Sequence, residues 1–168
     1  MISRDVRVNP IPPILDFDFF PPTGCAPLTV SFVNLSQYAD PTSYFWSFGA
    51  GEGTSRATDP TYTYLTPGIY SVTLSATNVL GDTVSVTKEG IIHVMENPVA
   101  QFAVYPTTPL NVPGEILYTD NRSRNATEYL WDFGDGNTST DPEPQHKYTT
   151  EGTFTVTLVA RSSNGCAD

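Results

Sequence analysis

Apolar and hydroxylated residues alternate along most of this chain. In LTVSFV (28–33), Leu28, Val30 and Phe32 stand every second residue, with Thr29 and Ser31 between them. A period of two marks a strand buried on one face. GIYSVTLSATN (68–78) and GTFTVTLVARS (152–162) repeat the pattern: Tyr70, Val72, Leu74 and Ala76, and Phe154, Val156, Leu158 and Ala160, alternate with Thr and Ser. Each is preceded by about twenty residues by an aromatic run, YFWSFGAG (44–51) and YLWDFGDG (129–136). Tyr44, Trp46 and Phe48 share one face, as do Tyr129, Trp131 and Phe133, and each triplet needs a second sheet to bury it. The glycines that follow reverse the chain, because glycine tolerates a positive φ.

The chain is therefore one β unit written twice. DFDFF (16–20) predicts an edge strand stopped by Pro21 and Pro22, answered in the second copy by VAQFAVY (99–105) and Pro106. Residues 50–58 predict a small-residue loop or weak edge. Thr83–Val94 predicts a last strand broken near Lys88-Glu89-Gly90, and the second copy ends at Asp168 with no counterpart of it. This gives an all-β chain of two sandwiches, residues 15–96 and 97–168, the second without its last strand. Residues 1–14 form an extended proline-rich arm, held open by Pro10, Pro12 and Pro13.

Charge changes the picture mainly by exclusion. Charged residues make up 15% of the chain, and the net charge is −10. Each copy carries the acid evenly, seven acids against two bases over 16–95 and nine against four over 98–168. Nucleic-acid binding needs clustered Lys and Arg, so it is not expected, and anionic membranes are equally disfavoured. No apolar run is long enough to span a bilayer, and the amino-terminal residues lack the apolar core of a secretory signal.

The second copy reads W-D-F-G-D-G, then Asp141-Pro142, then H-K-Y-T-T-E-G-T-F-T-V-T-L. The first reads W-S-F-G-A-G, then Asp59-Pro60, then Y-T-Y-L-T-P-G-I-Y-S-V-T-L. This combination resembles the PKD (polycystic kidney disease) domain over nearly everything after Leu15. The resemblance implies an immunoglobulin-like β-sandwich in each copy and a non-catalytic role as a spacer, adhesion or interaction unit. It also implies that some such modules bind polysaccharide or protein and some carry calcium. The two copies depart from each other at Ser47 and Ala50, where the second has Asp132 and Asp135. A tyrosine corner is open only to the first copy, which has Tyr70 where the second has Phe154.

Candidate chemistry is sparse. Asp132 and Asp135 sit in a turn, where Asp commonly bonds nearby amides; with Asp141 they are weak calcium candidates. His93 and His146 fall in different copies and are read as structural. No nucleophile elbow, zinc spacing or phosphate loop occurs, so the chain is not expected to be an enzyme and no cofactor is required. Tyr38, Tyr62 and Tyr105 are the freer aromatics. Four Asn-x-Ser/Thr patterns, at Asn34, Asn121, Asn125 and Asn137, matter only in a glycosylating compartment. Within a sandwich of this type, Cys25 and Cys166 fall at the ends of their copies nearest residues 96–98, which makes them candidates for a disulfide.

Two functions fit. One is a structural protein decorating a surface, a phage virion in its finest form, through contacts with other subunits or copies of itself. Its candidate contact is the arm, with Arg4, Val6 and Val8 adding a strand to the open edge of the second sandwich. The other is a carbohydrate- or protein-binding module from a large secreted or cell-surface protein. Both place the chain outside a cell or on a virion exterior.

Overall fold

The computed structural model describes residues 4, 11–49, 51, 53–78, 81–107, 110 and 114–168. Among them there is no helix, and strands in mostly antiparallel sheets build each of two compact units, one up to Met95 and one from Glu96.

Alternation decides the first unit. In β3 (Leu28–Asn34), Leu28, Val30 and Phe32 are buried while Thr29, Ser31 and Val33 are exposed. β3 lies between β1 (Phe17–Phe20) and β6 (Thr61–Tyr64), so β1 is an edge strand. The facing sheet runs β2 (Thr23–Cys25), β8 (Thr83–Met95), β7 (Gly68–Thr77), β4 (Phe45–Ser47), β5 (Thr54–Ser55). Between the sheets lies an aromatic core. The Trp46 ring meets Phe17 edge-on at 5.2 Å and Phe32 at 5.7 Å. Lys88 of β8 reaches across to β1, pairing with Asp16 at 2.8 Å and standing 4.7 Å over the Phe17 ring. Hydrogen bonds from Lys88 and from the Phe17 amide, with the lysine's charge, hold the Asp16 carboxyl below its usual range.

The second unit repeats the plan with less. One sheet is β13 (Gln145–Lys147), β10 (Ile116–Asn121), β9 (Phe102–Tyr105); the other is β12 (Thr138–Ser139), β11 (Glu128–Asp132), β14 (Thr157–Arg161). Trp131 meets Phe102 edge-on at 5.1 Å, as Trp46 meets Phe17. Both indoles have 0% exposure, which fixes the register: a slip by one residue would have put them outside.

The structure corrects four details of the sequence reading. The arm does not stop short of the sandwich: Pro13 is buried, Ile14 bridges Gln37, and Leu15 packs on the core. The last strand of the first unit is unbroken; β8 absorbs its irregularity as a register shift against Tyr70 and Val72 of β7. Residues 23–25, in the stretch between the strands predicted at 16–20 and 28–33, form β2 because Thr23, Gly24 and Cys25 find a parallel partner in His93, Val94 and Met95. Finally, β14 is shorter than Gly152–Ser162, and its outer side is not wholly bare. The last residues turn back on it, Ala167 bridging Arg161 while Ala160 and Asp168 exchange backbone bonds at 2.8 and 3.0 Å.

Candidate functional site

The turn after each aromatic strand is held by close packing and by hydrogen bonds from distant side chains. Gly49 and Gly134 have φ of 71° and 77°, and a Cβ on either would collide with a backbone oxygen, that of Ser71 in β7 or that of Thr155 just before β14. Only glycine fits there. The Trp46 indole donates to Ala57 O at 2.9 Å and that of Trp131 to Asp141 O at 3.0 Å. The Tyr64 hydroxyl donates to Phe48 O at 3.1 Å and that of Tyr148 to Phe133 O at 3.0 Å. Burial pushes both hydroxyls upward in pKa, helped by Tyr62 and Tyr70 in the first unit and by the Asp135 charge in the second. These buried donors are satisfied, as buried polar groups must be.

The acids of the second turn are absorbed in the same way. Asp132 Oδ1 accepts the Gly134 amide at 2.8 Å. Asp135 Oδ1 accepts the Asn137 amide, and its Oδ2 faces both the Asn137 side chain at 3.0 Å and His146 Nε2 at 2.8 Å. A carboxylate only accepts, so Nε2 carries the proton. Burial opposes the charge on Asp135, but the bonds from His146 and Asn137 outweigh it and hold the carboxyl below its usual range. The His146 ring stacks on Phe133 at 4.1 Å and meets Tyr148 edge-on. Tyr62 does the same in the first unit, stacking on Phe48 at 4.6 Å and meeting Tyr64 edge-on. His146 is thus a core ring with a polar tip.

Asp141 does not join its two neighbours through its side chain; its carbonyl takes the Trp131 indole. Among the described residues no group of three or more His, Cys, Asp or Glu could hold a metal ion. Tyr70 donates to Thr66 O at 2.8 Å, the corner available to the first unit alone. Cys25 and Cys166 are both disulfide-bonded, and neither is a free thiol. Arg4 is exposed, whereas Val6 and Val8 lie outside the described residues.

Of the exposed apolar side chains, one group stands together on a sheet face. On the outer face of β9 and β10, Tyr105 and Tyr118 are register partners, 43% and 48% exposed, with Ile116 two residues before Tyr118 on the same face. Arg122 donates through Nη2 to the Tyr105 hydroxyl at 3.0 Å, and through Nε and Nη2 to Asp120 at 2.9 and 2.7 Å. The carboxylate, first by hydrogen bond and then by charge, raises the guanidinium pKa further. The sequence reading had singled out Tyr105 but missed Tyr118. The missed signal was the comparison of copies: register pairs Phe20 with Ser31 where the second unit pairs Tyr105 with Tyr118.

A family model described as "PKD domain" matches residues 11–93 and again 96–168. Human polycystin-1 is 31% identical over 124 residues, which is 71% of this chain and 3% of that protein. The pre-pro-metalloprotease PrtV of Vibrio cholerae serotype O1 (strain M66-2) is 33% identical over 94 residues, 52% of this chain and 10% of that protein. The chain therefore spans a tenth or less of the length of these relatives. Among solved structures, the PKD1 domain of Vibrio anguillarum Epp is 28% identical, with a TM-score of 0.43, covering 52% of this chain and all of that one.

Proposed function

The chain belongs to the PKD domain family, and on that premise we propose that it is a non-catalytic module that holds an extracellular polymer, polysaccharide or protein, without transforming it. One observation carries this reading. Two of the three acids marked for chemistry are spent inside the fold, Asp135 with both oxygens within its turn and on His146 and Asp132 on Gly134, and Asp141 does not join them. One sheet face of the second unit leaves aromatic and ion-paired side chains facing solvent, which suit adhesion. The relatives carry the matching segments inside far larger proteins, one of them named a metalloprotease, a setting that suits a module anchoring its chain to a polymer. The test is sedimentation of the purified chain with insoluble polysaccharides and with collagen, while the supernatant is assayed for released sugar and peptide. Retention without release is expected. Release of product, or no retention on any polymer, overturns the reading.

A second reading, assembly on a surface such as a virion exterior, has its own supporting observation. Val156 and Leu158 are half-buried where their counterparts Val72 and Leu74 are fully buried, so the outer edge of β14 would gain from an added strand. The arm, with Arg4, Val6 and Val8, is the proposed donor from another copy. Because Pro13 and Leu15 belong to the sandwich, the deletion that tests it removes residues 1–10 only. Light scattering should then show monomers where the full chain associates; an unchanged molar mass counts against the arm.

A further inference from the structure

Resting on the reading of the chain as a binding module, we propose that the outer face of β9 and β10 is a binding site for neutral polysaccharide, with Tyr105 and Tyr118 as its stacking platform.

The fold does not ask for this face. At the equivalent register the first unit has Phe20 opposite Ser31, and Thr29 where the second has Ile116. It builds the same three-stranded sheet with those small hydroxylated residues. A single exposed ring has become a cross-strand pair of tyrosines. Neighbouring strands lie about 4.8 Å apart, and Cβ atoms of partnered residues about 5 Å apart. Two half-exposed rings rooted at that spacing offer neighbouring apolar faces along which successive sugar rings of an extended glycan can lie. The apolar C–H faces of a pyranose stack on such rings, while their hydroxyls need donors and acceptors close by.

Those groups are present and fixed. Arg122 is held by two bonds to Asp120 and in turn holds the Tyr105 hydroxyl, so the platform's rim is set before ligand arrives. The guanidinium retains donors and the carboxylate retains lone pairs beyond those bonds, which is the pairing that bridges vicinal hydroxyls.

Charge selects the class of glycan. The one arginine at the platform is neutralised by Asp120, and residues 98–168 carry nine acids against four bases. An anionic chain would meet the unit's excess of acid, offset beside the platform by Lys147, the register partner of Ile116, whereas a neutral chain meets only hydrogen-bonding groups. A protein partner fits less well. Stable protein interfaces bury about 800 Å² per side around an apolar centre, and here the described residues add only Ile116 and Pro106 to the apolar surface of the two rings.

The experiment is affinity electrophoresis of the whole chain through gels holding galactomannan, hydroxyethylcellulose or the anionic alginate, with collagen retention measured in parallel. Retardation by a neutral polysaccharide and not by alginate is expected. Tyr118→Ser installs the residue that the first unit uses at that position, so it preserves the sheet, and it should weaken binding severalfold. The Tyr105→Ala/Tyr118→Ala double variant should weaken it about tenfold or more. Phe20→Ala in the first unit should leave it unchanged. Neutral-glycan binding that survives the double variant overturns this site but not the module reading. Retention by collagen alone overturns the ligand class. No binding by the unaltered, folded chain to any polymer overturns the module reading and this site together.

Discussion

The strands that follow the two aromatic turns carry the same alternation and end in different environments. In β7, Val72 and Leu74 are 0% exposed and Ala76 is 1% exposed. In the second unit Val156 and Leu158 are half-buried, and Ala160 alone is fully buried. The residues are equivalent; the neighbour is not. β8 pairs with β7 along nearly its whole length, and its Ile92 and Val94 join the core, while Lys88 ties it to β1. On the side of β14 away from β11, the described residues supply only the returning residues 166–168, and Ala160 is the residue that exchanges backbone bonds with Asp168. Burial along a strand thus follows the strand beside it. An apolar side chain in the right register is necessary, but the adjacent strand supplies the cover.

Four experiments sharpen or break this comparison. The largest effect belongs to the cysteines. We propose that Cys25 and Cys166 pair with each other within one chain; peptide mapping without reductant should recover both in a single cross-linked peptide. Reduction should then cost about 4–5 kcal/mol in the chain-entropy model, because the closed loop is long. Disulfide-linked dimers would exclude the pairing.

Next come the tryptophans, one to a unit. Trp46→Ala and Trp131→Ala should each cost about 3–5 kcal/mol, with the first at the upper end because its core is larger. In each variant the remaining indole reports the other unit by fluorescence in urea. If one substitution shifts both transitions equally, the units do not unfold separately.

Leu74→Ala and Leu158→Ala test the role of cover directly. The first should cost about 2–5 kcal/mol, and the second distinctly less, because part of its surface is already in water. Equal costs in urea denaturation would show that β8 adds little to the burial of its neighbour.

The smallest effect is on pH. The Asp135 carboxyl is held below its ordinary range, so its contribution is complete above that range and is lost as pH falls through the folded value. The second unit should therefore weaken below about pH 4, and Asp135→Asn should flatten that part of its profile. Asp16 behaves in the same sense in the first unit through Lys88. An unchanged acid profile in Asp135→Asn would mean that the turn does not discriminate the charged form.

Much of this was legible in the residues. The period of two placed Leu28, Val30, Phe32, Trp46 and Trp131 inside, because a strand offers its side chains only two faces and one must be dry. Glycine at 49 and 134, the duplicated W-x-F-G, and a tyrosine corner at Tyr70 but not Phe154 were likewise local facts, since each depends on a side chain and the few residues around it. Partners distant in sequence were not legible. That Thr23–Cys25 becomes a strand depends on Met95 lying alongside, and that β8 runs unbroken depends on β7 taking up the irregularity. Nothing within residues 145–147 announces that His146 will stack on Phe133 and meet Asp135, since the stacking is set by the turn that brings β13 beneath it. The platform of Tyr105 and Tyr118 is of the same kind. Each residue was visible alone, and only the pairing of β9 with β10 put them side by side, because register between strands is decided by the whole sheet and its core.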